Sequence, residues 1–161
     1  MSEPFDVPPE TPHELTLGRI LRARRNAVYR AWTEPHLLRR WFAPRPLTVS
    51  AAELDVRPGG SSRVVMRTPD GTEFPAEGVY LEVVPDERLV FTDAFRPGWM
   101  PSDKPFMTAT LLLQDEPGGR TRYTARVRHW SREDREKHEA MGFSAGWGQC
   151  ADQLEEVAAG L

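Results

Sequence analysis

The sequence predicts an α+β domain in which one strongly curved antiparallel sheet packs against a long C-terminal helix. Three observations carry this prediction: a short strand-helix-helix opening, a run of about six strand-like segments joined by tight turns, and an amphipathic stretch near the end of the chain. Tight turns between neighbouring strands require antiparallel pairing. A single sheet with one apolar face needs a cover, and the last helix is the only element long enough to supply it. At 161 residues the chain suits one domain with a sizeable core.

The opening twelve residues, MSEPFDVPPETP, hold four prolines and three acids and show no apolar periodicity, which predicts a mobile tail over 1–12 and a domain over 13–161. HELTLGRIL then alternates as a strand does. NAVYRAWT places Val28, Ala31 and Trp32 on one helical face, with Asn26 as the expected N-cap. Pro35 suits the first turn of a second short helix, EPHLLRRWF, with Leu37, Leu38, Trp41 and Phe42 apolar.

The strand run follows: LTVSAAELDV, the turn RPGG, SSRVVMRT, the turn PDGT, EFPAEGVYLEVV, a break at Pro85-Asp86, and ERLVFTDAF. A loop rich in proline and glycine and holding Trp99 leads to FMTATLLLQ, then EPGG, then TRYTARVRHW. Alternation assigns the faces. Arg122, Arg126 and Arg128 share the outer face of the last strand, so Thr121, Tyr123, Ala125, Val127 and His129 turn inward. Val64 and Met66 turn inward between Arg63 and Arg67, and so do Leu89, Phe91, Asp93 and Phe95. FMTATLLLQ is apolar on both faces, which leaves its orientation open. Ser131 and Asp134 then resemble a capping box at the start of SREDREKHEAM.

In GFSAGWGQCADQLEEVA, residues Phe143, Trp147, Cys150, Ala151, Leu154, Val157 and Ala158 trace one helical stripe. Three glycines interrupt it, each costing about 1 kcal/mol in a helix interior. Gly142 marks the junction with the preceding helix. Gly146 flanks the stripe and Gly148 lies outside it, so a strand or a ligand is expected to approach the backbone, with ligand room expected at Gly146.

The net charge of −3 argues against a dedicated nucleic-acid binder. Eight arginines between Arg19 and Arg45 face Glu34 alone; they are read as a solvated face, with a protein partner as the alternative. One cysteine, Cys150, excludes an intrachain disulfide and suits a reducing cytoplasm, where a small buried thiol on the apolar stripe is the expected role. No apolar run approaches the ~20 residues of a membrane span, so no membrane insertion is expected.

The segments AWTEPHLLRRWF, LDVRPGGSSRVVM, PDGTEFPAEGVYLEVVPDERLVFTD and MGFSAGWGQCADQLEEVA together resemble the START-like (SRPBCC) superfamily. Within it they are similar to the subfamily of the heat-shock-protein-90 ATPase activator homologue type, over residues 13 to 160. The resemblance implies a helix-grip fold: a sheet of about six to seven strands around the C-terminal helix, with a cavity between them. Members of the wider superfamily bind lipids, hormones or polyketides, and a few catalyse cyclisation or dehydration. Trp32, Thr33, Pro35, Trp41, Arg57, Pro58, Gly59, Gly60, Gly142, Trp147 and Leu154 carry the resemblance and look architectural.

Three functions follow as expectations. The leading one is non-catalytic binding of a small hydrophobic or amphipathic ligand, with Trp32, Trp41, Met66, Phe91, Phe95, Trp99, Tyr123, Phe143 and Trp147 around it and Phe106 nearby. The second is a cyclase- or dehydratase-like enzyme in which Asp93 orients His129 as a general base and Tyr123 donates to a substrate oxygen. The third is a chaperone-adaptor or stress-response module using the arginine-rich surface of residues 19–45. His13, His36, His129 and His138 show no metal-ligand spacing, RPGG and EPGG are hairpin turns, and GFSAG lies inside a helix, so neither a metal nor a cofactor is expected. His138 sits on a polar helix, where exposure to solvent is expected.

Overall fold

The computed structural model describes all 161 residues. Strand β1 (Glu3–Pro4) is followed by β2 (Glu14–Leu21) and the helices α1 (Arg25–Thr33) and α2 (Pro35–Leu38). Strands β3 (Thr48–Leu54), β4 (Ser61–Arg67), β5 (Glu73–Val84) and β6 (Arg88–Thr92) come next. A two-residue pair, β7 (Phe95–Arg96) and β8 (Met100–Pro101), interrupts the run before β9 (Met107–Glu116) and β10 (Arg120–His129). Helices α3 (Arg132–Ala140) and α4 (Phe143–Ala159) close the chain. Eight strands make one sheet in the order β1-β2-β10-β9-β6-β5-β4-β3, every pair antiparallel. Bulges between Val49 and Ala51 and between Tyr80 and Glu82 add to its curvature.

On β10 the inward set is realised as read, whereas β6 ends at Thr92 and Phe95 belongs to the separate β7-β8 pair. Thr121, Tyr123, Ala125, Val127 and His129 of β10 are all buried. The open case, β9, turns Ala109, Leu111 and Leu113 inward. Helix α1 begins two residues earlier than an Asn26 cap requires: its N-cap is Arg24, which makes no side-chain capping bond. Ser131 does cap α3, accepting a hydrogen bond from Asp134 N at 3.0 Å.

Helix α4 packs against α1 and β2, burying Ala151, Leu154, Val157 and Ala158. Buried polar side chains fasten it. Gln153 donates through Nε2 to the carbonyls of Trp41 and Ala43, both at 2.8 Å, and Glu155 accepts from Arg22 N at 2.9 Å. The close approach to its backbone occurs at Gly148, not Gly146. A Cβ at Gly148 would lie 2.9 Å from the Arg19 guanidinium on β2, whereas one at Gly146 meets nothing within 4 Å. Trp147 of the apolar stripe is only half-buried and stacks on Phe143 with ring centroids 5.1 Å apart. No helix is long and apolar enough to cross a membrane.

The first twelve residues make docking contacts with the domain. Strand β1 pairs with β2, and Phe5 N donates to Gly18 O at 3.1 Å. Gly18 gives Phe5 room: a Cβ there would sit 2.6 Å from both the Phe5 ring and its carbonyl oxygen. Arg122 covers the other side of that ring at 3.8 Å from its centroid. Ser2 is buried and donates to Asp152 Oδ1 through both N and Oγ at 2.6 Å. Glu14, with no exposed side-chain surface, accepts from Arg126 at 2.7 Å and Arg128 at 2.8 Å.

Candidate functional site: a cavity at the far half of the sheet

A cavity of about 730 Å³ opens on the inner face of β4, β5 and β6. Its size falls in the range of small-molecule sites, roughly 300–1,000 Å³. The strands supply Val64, Met66, Tyr80 and Phe91; α1 and α2 close it with Trp32 and Leu38, and Phe42, just after α2, also lines it. The segment between β6 and β9 adds Phe106 and Met107 together with the polar Arg96, Ser102, Asp103 and Lys104. His138 of α3 and the exposed Met141 complete the rim. No residue of α4 lines it. The expectation of a cavity between sheet and C-terminal helix is therefore corrected: α4 fills its half of the sheet with core, and the space lies over the other half.

The segment between β6 and β9 is held in place by Asp93. Its Oδ1 accepts from Phe106 N at 2.9 Å and Met107 N at 3.1 Å, so one oxygen of this carboxylate closes the loop. Ser102 N donates to Ala94 O at 2.9 Å, and Arg96 reaches back to Glu77 of β5 at 2.9 Å. Phe95 and Trp99 meet edge to face at 5.7 Å, and the Trp99 ring lies against the RPGG turn, where a Cβ on Gly59 would be 3.1 Å from it.

Of the residues expected around a ligand, Trp32, Met66 and Phe91 line the cavity, as does Asp93. Trp41, Phe95, Trp99, Tyr123, Phe143 and Trp147 do not. Trp41 is core, donating through Nε1 to Ala31 O at 2.9 Å and packing edge-on against Trp32 at 4.7 Å. Tyr123 is wholly buried, which pushes its phenol strongly upward; the neighbouring Trp32 indole offsets this only in part. That indole Nε1, on a cavity-lining side chain, meets no acceptor in hydrogen-bonding geometry. Ser102 Oγ, also at the cavity, is likewise buried without a partner.

The three residues of the enzymatic expectation do not form a constellation. Asp93 is engaged with the loop backbone, Tyr123 lies outside the cavity, and no hydrogen bond joins either to His129. His129 instead contacts His13 O through Nδ1 and His138 Nδ1 through Nε2, both at 2.8 Å. The Phe106 ring packs on both imidazoles, and Phe143 meets His138 edge to face at 5.0 Å. Burial, and secondarily the nearby His129, pushes His138 down to about 4. Sequence reasoning missed His138 because α3 is charged nearly throughout. The signal was spacing: Ser131, Asp134, Arg135 and His138 fall at i, i+3, i+4 and i+7, and these four are the partly buried stripe of the helix.

Cys150 is half-buried, donates to Phe42 O at 3.2 Å and is pushed up to about 12 by burial, so it is no thiolate at neutral pH. No group of three or more His, Cys, Asp or Glu side chains is placed to share a metal ion.

A curved antiparallel sheet gripping a C-terminal helix, with a cavity on its inner face, defines the helix-grip class of the START-like superfamily. Within that class the chain belongs to the family described as activator of Hsp90 ATPase homolog 1-like protein, which it matches over residues 22–159. Among solved structures it is similar to protein NE0264 from Nitrosomonas europaea, with 42% identity over 92% of this chain and 95% of that one and a TM-score of 0.88. A protein from Rhodobacter sphaeroides is 22% identical over 97% of this chain and 99% of that one, with a TM-score of 0.84. Protein CV1439 from Chromobacterium violaceum is 25% identical over 91% and 97%, with a TM-score of 0.74. No curated protein matches the sequence.

Proposed function

We propose that this protein binds a small hydrophobic or amphipathic molecule in the cavity over β4, β5 and β6 and does not transform it. The observation that carries the reading is the lining: aromatic and aliphatic walls of Trp32, Phe42, Val64, Met66, Phe91 and Phe106, interspersed with polar groups. Burying an apolar ligand there gains roughly 25 cal/mol per Å² of surface removed from water. A few polar contacts would orient it. The enzymatic alternative is weakened because neither Asp93 nor Tyr123 is hydrogen-bonded to His129, whose ring nitrogens meet His13 O and His138 instead.

The adaptor alternative rests on the arginine-rich stretch, and most of those arginines are already partnered within the chain. Arg22 pairs with Glu155, Arg25 with Glu87 and Asp115, Arg30 with Glu34, and Arg45 with Glu156, while Arg39 donates to Ser50 O. These pairs lower the charge on offer to a partner.

The test is native mass spectrometry for a co-purified molecule, combined with titration of a fluorescent hydrophobic probe into wild type and Met66→Trp. The added indole should lower probe affinity at least about tenfold by occupying the cavity, with cooperative unfolding retained. Undiminished probe binding by a folded Met66→Trp protein would remove the cavity as the binding site.

A further inference from the structure

The paired histidines at the rim of the cavity have a defined hydrogen-bond direction. A carbonyl oxygen only accepts, so His129 Nδ1 must carry the hydrogen in its 2.8 Å contact with His13 O. When the pair carries no extra proton, His129 Nε2 is therefore a bare acceptor. The second 2.8 Å contact must then be donated by Nδ1–H of His138. Each neutral imidazole carries one hydrogen, which leaves His138 Nε2 unprotonated. This nitrogen lies on the side of the ring away from His129, has no partner in the protein, and belongs to a residue that lines the cavity.

Building on the proposed binding role, we infer that His138 Nε2 is the polar anchor of the cavity and accepts a hydrogen bond from a hydroxyl group on a ring-bearing apolar ligand. The donor must come from the ligand because the anchor is an acceptor held in one tautomer. The ring system is suited to the aromatic surfaces of the cavity, Phe106 against the imidazole and Phe91 and Trp32 elsewhere on its wall. A ligand presenting only acceptors, such as a ketone or an ether, would leave Nε2 unsatisfied. Burial and the neighbouring His129 oppose protonation of His138, which keeps the acceptor bare at neutral pH. Arg128, Arg135 and Glu139 near this end of the molecule are turned to Glu14, Pro12 O and one another, not to the imidazole pair.

Two measurements test the assignment. Long-range proton–nitrogen NMR of the intact protein at neutral pH should show His138 protonated at Nδ1 and bare at Nε2; a hydrogen on Nε2 would overturn it. Equilibrium titrations should then compare 2-naphthol with 2-methylnaphthalene, which replaces the hydroxyl by a methyl group of similar size. In wild type the ratio of the two dissociation constants should favour naphthol about 5- to 10-fold more than it does in His138→Phe, the worth of one hydrogen bond. An unchanged ratio overturns the anchor while leaving the cavity reading intact. Failure of both molecules to bind overturns the cavity reading and the anchor with it.

Discussion

Acidification from pH 7 to 4.5 should destabilise this protein through His138, and the magnitude follows from its surroundings. An unfolded-chain histidine titrates near 6.5, whereas burial and the nearby His129 push His138 down to about 4 in the fold. Between those values the unfolded chain binds the proton and the folded protein does not, so stability rises with pH. The contribution is complete above 6.5 and is lost as pH falls towards 4. The full shift corresponds to about 3 kcal/mol at 1.36 kcal/mol per unit; because His138 is only partly buried, about 2 kcal/mol is the expected loss. Urea unfolding of wild type and His138→Phe at intervals between pH 7 and 4.5 reads this directly. His138→Phe starts lower at pH 7, because His129 Nε2 loses its partner, but its stability should vary with pH by about 2 kcal/mol less than wild type over this window. Parallel curves for the two proteins would refute the placement of His138 against His129.

Other substitutions test the packing. Gly18→Ala should cost about 1–3 kcal/mol, because the new methyl meets Phe5; a stabilisation of about 0.5–1 kcal/mol in urea unfolding would mean that β1 does not sit on β2. Amide exchange should accordingly show Phe5 N–H protected by Gly18 O. Leu154→Ala, at a fully buried site, should lose about 3–5 kcal/mol, whereas Trp147→Ala should lose about 1–2, and the reverse order by denaturant titration would place the wrong face of α4 inward. Gly146→Ala, in open space, should gain up to about 1 kcal/mol in the same titration, and a loss would reveal packing there.

The fold was legible because it is written in periodicities. Arg122, Arg126 and Arg128 mark the outer face of β10, interrupted at Thr124, and Leu154, Val157 and Ala158 mark the dry stripe of α4. What was illegible depends on main-chain or long-range contacts that leave no such trace. The segment Glu3 to Phe5 docks through backbone pairing and a cleft left by Gly18, with a single aromatic ring as its side-chain signal. The position of the cavity depends on Asp93 folding the segment before β9 back over β6, which moves Phe95 and Trp99 away and brings in Phe106 and Met107. Trp32, Met66 and Phe91 were found because they obey strand or helix spacing. His138 was not, because its burial comes from the packing of α3 on Phe106 and Phe143, and not from an apolar stripe.

The central claim is that ligand space lies over β4, β5 and β6 and not along α4. Chemical-shift mapping of the isotope-labelled protein during titration with 2-naphthol tests it most directly. Perturbations should centre on Val64, Phe91, Met107 and His138 and leave Cys150 and Leu154 unmoved. Shifts concentrated along α4, at Cys150 and Leu154, would contradict it.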